Sequence, residues 1–149
     1  MIDIIIYPRE TITWHQFLCN TPPNSIALDG YVSGGPNWSP IDNHVNFDHH
    51  DGVVRDATMS SAMQVYFAIK SGLTDRMKDF TIYVNDIDQD TAMAIWLLKH
   101  HKLFDGTSTG SPAIQRILHL NDKLDITGGA FPMALDDQVY RQHCWVFEP

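Results

Sequence analysis

Two adjacent histidines between aspartates are the feature of this sequence most able to do chemistry. Asp48, His49, His50 and Asp51 form the run DHHD, which follows a short apolar stretch and precedes Gly52. Imidazole nitrogens and carboxylate oxygens together suit Mn²⁺, Fe²⁺ or Zn²⁺, so the run predicts a metal site. The alternative is a polar loop, because histidine pairs occur by chance and an Asp-Gly pair is typical of a turn.

Other aspartates are expected at the same edge of the fold as this run. Asp29 closes one predicted strand and Asp86 closes another, with Asp88 two positions further on. Ligands bind at the carboxyl ends of the strands in open α/β sheets, so neighbouring strands would bring these acids together. Carboxylates held in one cleft repel each other unless a cation neutralises them. The sequence therefore predicts one metal centre made from Asp29, the DHHD run and Asp86 or Asp88.

Each acid also has a structural explanation that needs no metal. Aspartate is common directly after strands, where it shapes a turn or caps the next helix. Asp90 is expected to be such a helix cap rather than a ligand. The chain has 16 aspartates and 2 glutamates, an excess that suits turns as well as metal coordination. An unrelated fold in which these residues only turn the chain is therefore a further hypothesis.

The elements that must position these residues alternate between strands and helices. Strands are predicted at 2–7, 25–29, 45–48 and 80–86, and helices at 11–19, around 62–72, at 91–101 and from Ser111-Pro112 onwards. This alternation favours an α/β fold, with a mostly parallel sheet covered by helices on both faces. The ending from Cys144 to Pro149 resembles a strand cut short, which favours a fragment of a longer protein.

Size and charge narrow the function classes. The 149 residues fit a single domain spanning 1–149, and 44% hydrophobic residues are typical of a globular protein. The net charge of −8 argues against binding of duplex nucleic acid through its phosphates. Because no apolar run could span a bilayer and no signal segment opens the chain, a cytoplasmic protein without membrane contact is expected. Cys19 and Cys144 are expected to be structural thiols.

The DHHD run and the helix after it resemble the DHH phosphoesterase superfamily. The similarity covers residues 25 to 100 and rests on Phe47-Asp48-His49-His50, followed ten residues later by the helix that opens at Ser60 to Tyr66. That family includes manganese-dependent pyrophosphatases, single-strand exonucleases and phosphodiesterases of short oligonucleotides or cyclic dinucleotides. The resemblance implies a DHH-like α/β fold and a divalent-metal-dependent hydrolase of a phosphoester or phosphoanhydride. It also implies a small phosphorylated or nucleotide-type substrate and Mn²⁺, with Mg²⁺, Fe²⁺ and Zn²⁺ as alternatives.

The resemblance assigns metal-binding roles residue by residue. Asp29 is similar to an aspartate that bridges two metals in the family, and His49 is similar to the ligand histidine. Asp86 is similar to the last ligand of the family, although Asp88 could take that role. The family's first motif, a histidine and two aspartates after strand one, has no counterpart, because the stretch from Tyr7 to His15 lacks that spacing.

The resemblance also assigns the catalytic roles. Asp48 would orient His49, and His50 would meet the substrate phosphate as a hydrogen-bond donor or general acid. Arg55 is near enough in sequence to contact phosphate, although an exposed salt bridge is the simpler role. The missing first motif supports an alternative function, in which the chain is a non-catalytic relative that binds a metal or nucleotide as a sensor or partner module.

Overall fold

The computed structural model describes residues 1–104 and 111–147 of the chain. In chain order the strands are β1 Ile2–Ile6, β2 Ile12–Thr13, β3 Ser25–Leu28, β4 Val32–Ser33, β5 Asn37–Ser39, β6 His44–Phe47 and β7 Phe80–Val84. The helices are α1 Trp14–Asn20, α2 Ser61–Lys70, α3 Leu73–Arg76, α4 Gln89–Lys99, α5 Pro112–Ile126 and α6 Gln138–Phe147. None of the helices within these ranges is both long and apolar enough to cross a membrane.

The main sheet has five strands in the order β1-β7-β3-β6-β5. The first four run parallel and β5 is antiparallel to β6. Ile4, Ile82, Ile26 and Val45 lie side by side across the parallel strands. The prediction of an α/β fold with a mostly parallel sheet is therefore confirmed, and β3, β6 and β7 end at one edge.

The central strand β3 has helices packed against both of its faces. Ile26 and Leu28 belong to the larger core, which is built with residues of α2, α4 and α5. Ala27 points the other way, into a smaller core where Phe17 of α1 meets Tyr83. Since both faces are covered, β3 is buried along its whole length, as expected for a central parallel strand. This packing fixes where the carboxyl end of β3 lies.

Local capping sets the starts of the helices that reach the site. Ser60 caps α2 by accepting a hydrogen bond from the backbone N–H of Met63. The prediction that Ser111-Pro112 opens a helix is confirmed, because Pro112 is the first residue of α5. The α4 cap is Asp88, whose Oδ1 accepts from the backbone N–H of Thr91 at 2.8 Å. The prediction that Asp90 caps this helix is wrong, because α4 begins two residues earlier than the apolar pattern indicated.

The prediction of a strand at the carboxyl end is also wrong. Residues up to Phe147 belong to α6, which packs on α5. The apolar run from Cys144 to Phe147 has the composition of a strand. Its burial does not follow that run, because Trp145 is 87% exposed whereas His143 is buried. Because His143 and Phe147 lie one helical turn apart, the buried face has helical spacing. Glu148 and Pro149, which the strand prediction included, lie outside the described residues.

Candidate metal centre

The parallel sheet brings Asp29 beside the DHHD run. Asp29 directly follows β3, and its backbone N–H donates to the carbonyl of Phe47, the last residue of β6, at 2.9 Å. Asp48 and the two histidines follow Phe47 at the same edge of the sheet. Asp90 in the first turn of α4 and Asp125 near the end of α5 approach the same place. Four separate parts of the chain therefore supply the site.

His49 is the centre of this group. Its side chain is fully buried, and its Nε2 lies 2.8 Å from Asp125 Oδ2 and 3.6 Å from Asp29 Oδ1. Among the described residues, neither His49 Nε2 nor Asp125 Oδ2 has a partner with hydrogen-bond geometry. Bonds of about 2.1 Å to one cation would hold neighbouring ligand atoms roughly 3.0–3.4 Å apart. The two atoms lie slightly closer together than that, so a shared cation would move them a little apart.

Two triplets of potential ligand atoms surround His49. One comprises Asp29, His49 and His50, and the other comprises His49, Asp90 and Asp125, with the ligand atoms of each triplet within 4.8 Å of one another. Nε2 of His49, which lies closest to these acids, can give its lone pair to only one cation. We therefore treat the two triplets as parts of one centre rather than as two independent sites.

The carboxylates around His49 also act on its proton. Burial alone would lower the pKa of His49, but the nearby Asp125 and Asp29 carboxylates outweigh burial and raise this pKa to about 10. In the absence of a cation, a proton on His49 therefore supplies the positive charge among these acids. A metal ion bound here would replace that proton, because only a neutral imidazole nitrogen can ligate a metal.

Asp29 is held in an unusual backbone conformation. Its φ of +50° lies in the left-handed region, which aspartate tolerates better than most residues. Ser61 Oγ donates to its Oδ1 at 3.1 Å and Thr91 Oγ1 donates to its Oδ2 at 2.9 Å. Burial would raise the pKa of Asp29, but the nearby imidazole of His49 and the charge of His50 outweigh it, so the pKa is lowered. Asp29 is therefore a fixed, ionised carboxylate.

Asp48 holds His50, which corrects the expectation that it orients His49. Its Oδ1 lies 2.8 Å from His50 Nδ1 and also accepts the backbone N–H groups of His49 and His50. The carboxylate folds back over the next two residues, a local turn that brings it to the ring two positions on. The hydrogen bond with Asp48 is the largest effect on the pKa of His50 and raises it. With Nδ1 engaged, Nε2 is the nitrogen left for a substrate.

Asp90 is a member of the site that the sequence prediction took for a cap. It is 1% exposed and accepts hydrogen bonds from the backbone N–H of Ala62 and from Asn121 Nδ2. Burial, with the charges of Asp125 and Asp29, raises the pKa of Asp90 to about 8. Burial is the largest cause, and the two neighbouring carboxylates add to it because no cation offsets their charge.

Asp125 is a member of the site that the sequence prediction missed altogether. It follows Asn121 by four residues on α5, so the two share one face of the helix. A polar pair at this spacing, next to the apolar Leu118, is the only sequence signal that could have pointed to it. Its position against His49 depends on how α5 packs, which the sequence does not display.

The two acids that follow β7, Asp86 and Asp88, belong to neither triplet. Asp86 is exposed, and its Oδ1 accepts the backbone N–H of Ile87 at 2.8 Å. Asp88 caps α4 and lines the cavity next to the site. Burial, followed by the charge of Asp29, raises the pKa of Asp88. The structure thus brings together Asp29, His49 and His50 from the predicted set, and it leaves Asp86 outside.

Aromatic residues fill the place where the resemblance would put its first motif. Tyr7, the first residue after β1, stacks on Tyr31 at 5.8 Å and on Tyr83 at 6.5 Å. Burial raises the pKa of Tyr31 to about 12, with smaller contributions from Glu10 and the other two tyrosines. These side chains offer neutral rings rather than carboxylates at this end of β1.

A cavity of about 390 Å³ opens next to the centre. Its walls are formed by the loop after the DHHD run, the start of α4, the end of α5 and one face of α6. Twelve described residues line it: Arg55, Asp88, Gln89, Asp90, Asn121, Leu124, Asp125, Gly128, Gly129, Tyr140, His143 and Cys144. Asp90 and Asp125 belong both to the cavity wall and to the triplet with His49, so a small molecule in the cavity would contact the centre.

No protein-family model matches this chain, and neither does any curated protein or solved structure. The resemblance to DHH phosphoesterases therefore rests on the residues themselves, the DHHD run and the helix after it.

Proposed function

We propose that this chain is a divalent-metal-dependent hydrolase of phosphoesters or phosphoanhydrides with a DHH-like fold. The observation that carries the proposal is the position of the buried His49 Nε2, 2.8 Å from Asp125 Oδ2 and 3.6 Å from Asp29 Oδ1. One imidazole among carboxylates suits Mn²⁺, with Mg²⁺, Fe²⁺ or Zn²⁺ as alternatives. The proposed substrate is a small phosphorylated or nucleotide-type molecule.

The chemistry of the donor atoms fits a divalent cation. Asp29 is ionised, burial and the neighbouring acids raise the pKa of Asp90 to about 8, and His49 Nε2 faces Asp125 without hydrogen-bond geometry. A cation among these atoms would remove the repulsion between the acids and would release the protons that now relieve it. This gain is the physical reason for expecting binding at this site.

In the proposed mechanism the cation and the chain's own residues have separate roles. When bound, the cation supplies Lewis acidity and lowers the pKa of a water molecule. Asp29, Asp90 and Asp125 hold their oxygens around His49. His50, with Nδ1 held by Asp48 at 2.8 Å, presents Nε2 to the leaving oxygen and can donate its proton there. The hydrogen bond with Asp48 raises the pKa of His50, which favours the protonated imidazole that this role needs.

The alternative function is a non-catalytic module that binds a metal or nucleotide as a sensor. The observation in its favour is Tyr7, which follows β1, where the resemblance leads us to expect the first motif, and which stacks on Tyr31 and Tyr83. A single cation would then bind at His49 without turnover of any substrate.

Metal binding and hydrolysis can be tested on the same variants. Protein purified without chelator is loaded with Mn²⁺ and given pyrophosphate, linear dinucleotides, cyclic dinucleotides and a chromogenic phosphodiester. We expect bound Mn²⁺ and hydrolysis of at least one substrate, and loss of both in His49→Ala. His15→Ala, which removes an exposed histidine outside the centre, is the matched control. Mn²⁺ binding without turnover would favour the sensor, and equal Mn²⁺ binding by His49→Ala would rule out this centre.

A further inference from the structure

Arg55 reaches from the loop after the DHHD run to the end of α5. Its Nη2 donates to the backbone carbonyl of Asp125 at 3.0 Å and lies 3.5 Å from Asp125 Oδ1. Its side chain is 40% exposed, so part of the guanidinium faces open space. Its Nε is buried and has no hydrogen-bond partner in the part of the chain that the structure describes. The guanidinium is therefore only partly used by the contacts within the protein.

Asp125 stands between Arg55 and the metal centre. One of its carboxylate oxygens faces His49 Nε2 at 2.8 Å, and the other faces Arg55 Nη2 at 3.5 Å. The guanidinium thus lies one carboxylate group away from the position proposed for the cation. Because Arg55 lines the same cavity as Asp90 and Asp125, an anion in that cavity could contact both Arg55 and the centre.

Arg55 is a basic residue in a cavity whose other described lining residues are acidic or neutral. Among the described residues that line the cavity, Arg55 is the only lysine or arginine, whereas Asp88, Asp90 and Asp125 are acids. Without a cation these acids offset the charge of Arg55, since a cleft focuses the field of its lining charges. A divalent cation among His49, Asp90 and Asp125 would offer a coordination position, beside Arg55, to an anion in the cavity. The cavity then becomes able to hold an anion.

We propose that Arg55 binds a phosphoryl oxygen of the substrate, and that it does so only when the cation is in place. This inference rests on the proposed function and names the residue that recognises its substrate. The planar guanidinium carries five N–H groups in a fork that matches phosphate oxygens, and Nη2 alone is engaged by Asp125. Arg55 then supplies the second positive charge on the phosphoryl group, at a centre that has ligands for one cation.

A purely structural role for Arg55 makes different predictions. The bond to the Asp125 carbonyl caps the last turn of α5, where a positive charge is favoured by the helix dipole. If that were its whole role, replacing Arg55 would lower the melting temperature or the Mn²⁺ affinity. It would not change the affinity of the Mn²⁺-loaded protein for a phosphoryl anion.

Binding of methylphosphonate, whose C–P bond resists hydrolysis, separates the two roles. Isothermal titration calorimetry is done on the full chain with and without saturating Mn²⁺. We expect methylphosphonate to bind the Mn²⁺-loaded wild type and not the metal-free protein. In Arg55→Gln we expect unchanged Mn²⁺ affinity and about 10- to 100-fold weaker methylphosphonate binding, the loss expected for a charged hydrogen bond. Arg55→Lys, which keeps the charge but not the fork, should lie between them.

Chemical modification of the wild type tests the same point without a variant. Phenylglyoxal modifies accessible arginines, and peptide mass spectrometry reports each one separately. We expect methylphosphonate to protect Arg55 only when Mn²⁺ is present, while the exposed Arg76 reacts equally in all samples. Equal methylphosphonate affinity in Arg55→Gln, or no protection of Arg55, would overturn this inference and leave the metal centre standing. Absence of Mn²⁺ binding by the wild type would overturn both.

Discussion

Asn121 of α5 donates a hydrogen bond from Nδ2 to Oδ1 of Asp90 in α4 at 2.8 Å, and both side chains are buried. On its other side, Asn121 Oδ1 lies 3.3 Å from Nε2 of His143 in α6. The carboxylate of Asp90 is thus fixed by a chain of polar groups that crosses three helices. Groups that orient a ligand in this way are part of a metal centre even though they do not touch the metal.

Asn121→Ala is therefore expected to weaken Mn²⁺ binding. Without the amide, Asp90 keeps the backbone N–H of Ala62 but loses the contact that sets its angle, and the Mn²⁺ affinity should fall by about 10-fold or more. Equilibrium dialysis measures the affinity. Asn43→Ala is the matched control, because Asn43 donates a side-chain hydrogen bond to Asn24 in another part of the fold. Equal Mn²⁺ affinities in the two variants would show that Asn121 does not position Asp90.

The metal-free protein is expected to lose stability as the pH rises above neutral. The pKa of His49 is raised to about 10 and that of Asp90 to about 8 in the folded state. A group whose folded pKa is raised contributes stability below its unfolded pKa and loses it as the pH passes the folded pKa. For Asp90 this window runs from about 4 to 8, and for His49 it runs from about 6.5 to 10.

Urea unfolding in the presence of a chelator at pH 6, 7, 8 and 9 measures this trend. We expect the free energy of unfolding to fall across the series, and the fall above pH 8 to be smaller in His49→Gln. Stability that rose from pH 6 to pH 9 would contradict the protonated state of His49 described above.

Binding of Mn²⁺ at neutral pH is expected to release protons. At pH 7 both His49 and Asp90 are below their folded pKa values, so each loses a proton when it ligates a metal. The expected release is between about one and two protons for each Mn²⁺ bound. Calorimetric titrations in buffers of different ionisation enthalpy measure the number, and binding without proton release would place the metal elsewhere.

His50 is expected to affect turnover more than metal binding. His50→Gln should lower kcat by about 100-fold or more, the contribution of a general acid, while Mn²⁺ affinity changes little. Because the hydrogen bond that Asp48 accepts from His50 raises the pKa of His50, Asp48→Asn should move the alkaline limb of the pH–rate profile to lower pH. A profile that is the same in Asp48→Asn and the wild type would mean that His50 does not supply the proton.

The residues of the site that could be predicted from the sequence are those that directly follow a strand. Asp29 and the DHHD run close neighbouring parallel strands, and the edge of the sheet brings them together. The position of Asp125 depends on how α5 packs against α2 and α4. The sequence contains little information about that packing. Asp90 was misjudged for a related reason, because the start of α4 fell two residues earlier than its apolar pattern indicated.

Variants of Asp125 and Asp86 distinguish the centre seen in the structure from the one predicted from the sequence. Asp125 Oδ2 lies 2.8 Å from His49 Nε2, whereas Asp86 is exposed and caps its own turn. Asp125→Asn should reduce Mn²⁺ affinity by about 10-fold or more, because it removes the charge of a ligand carboxylate. Asp86→Asn removes the same charge at the same edge of the sheet and should leave the affinity unchanged. Loss of Mn²⁺ binding in Asp86→Asn but not in Asp125→Asn would make Asp86 the ligand in place of Asp125, which is the role that the DHH resemblance implies for Asp86.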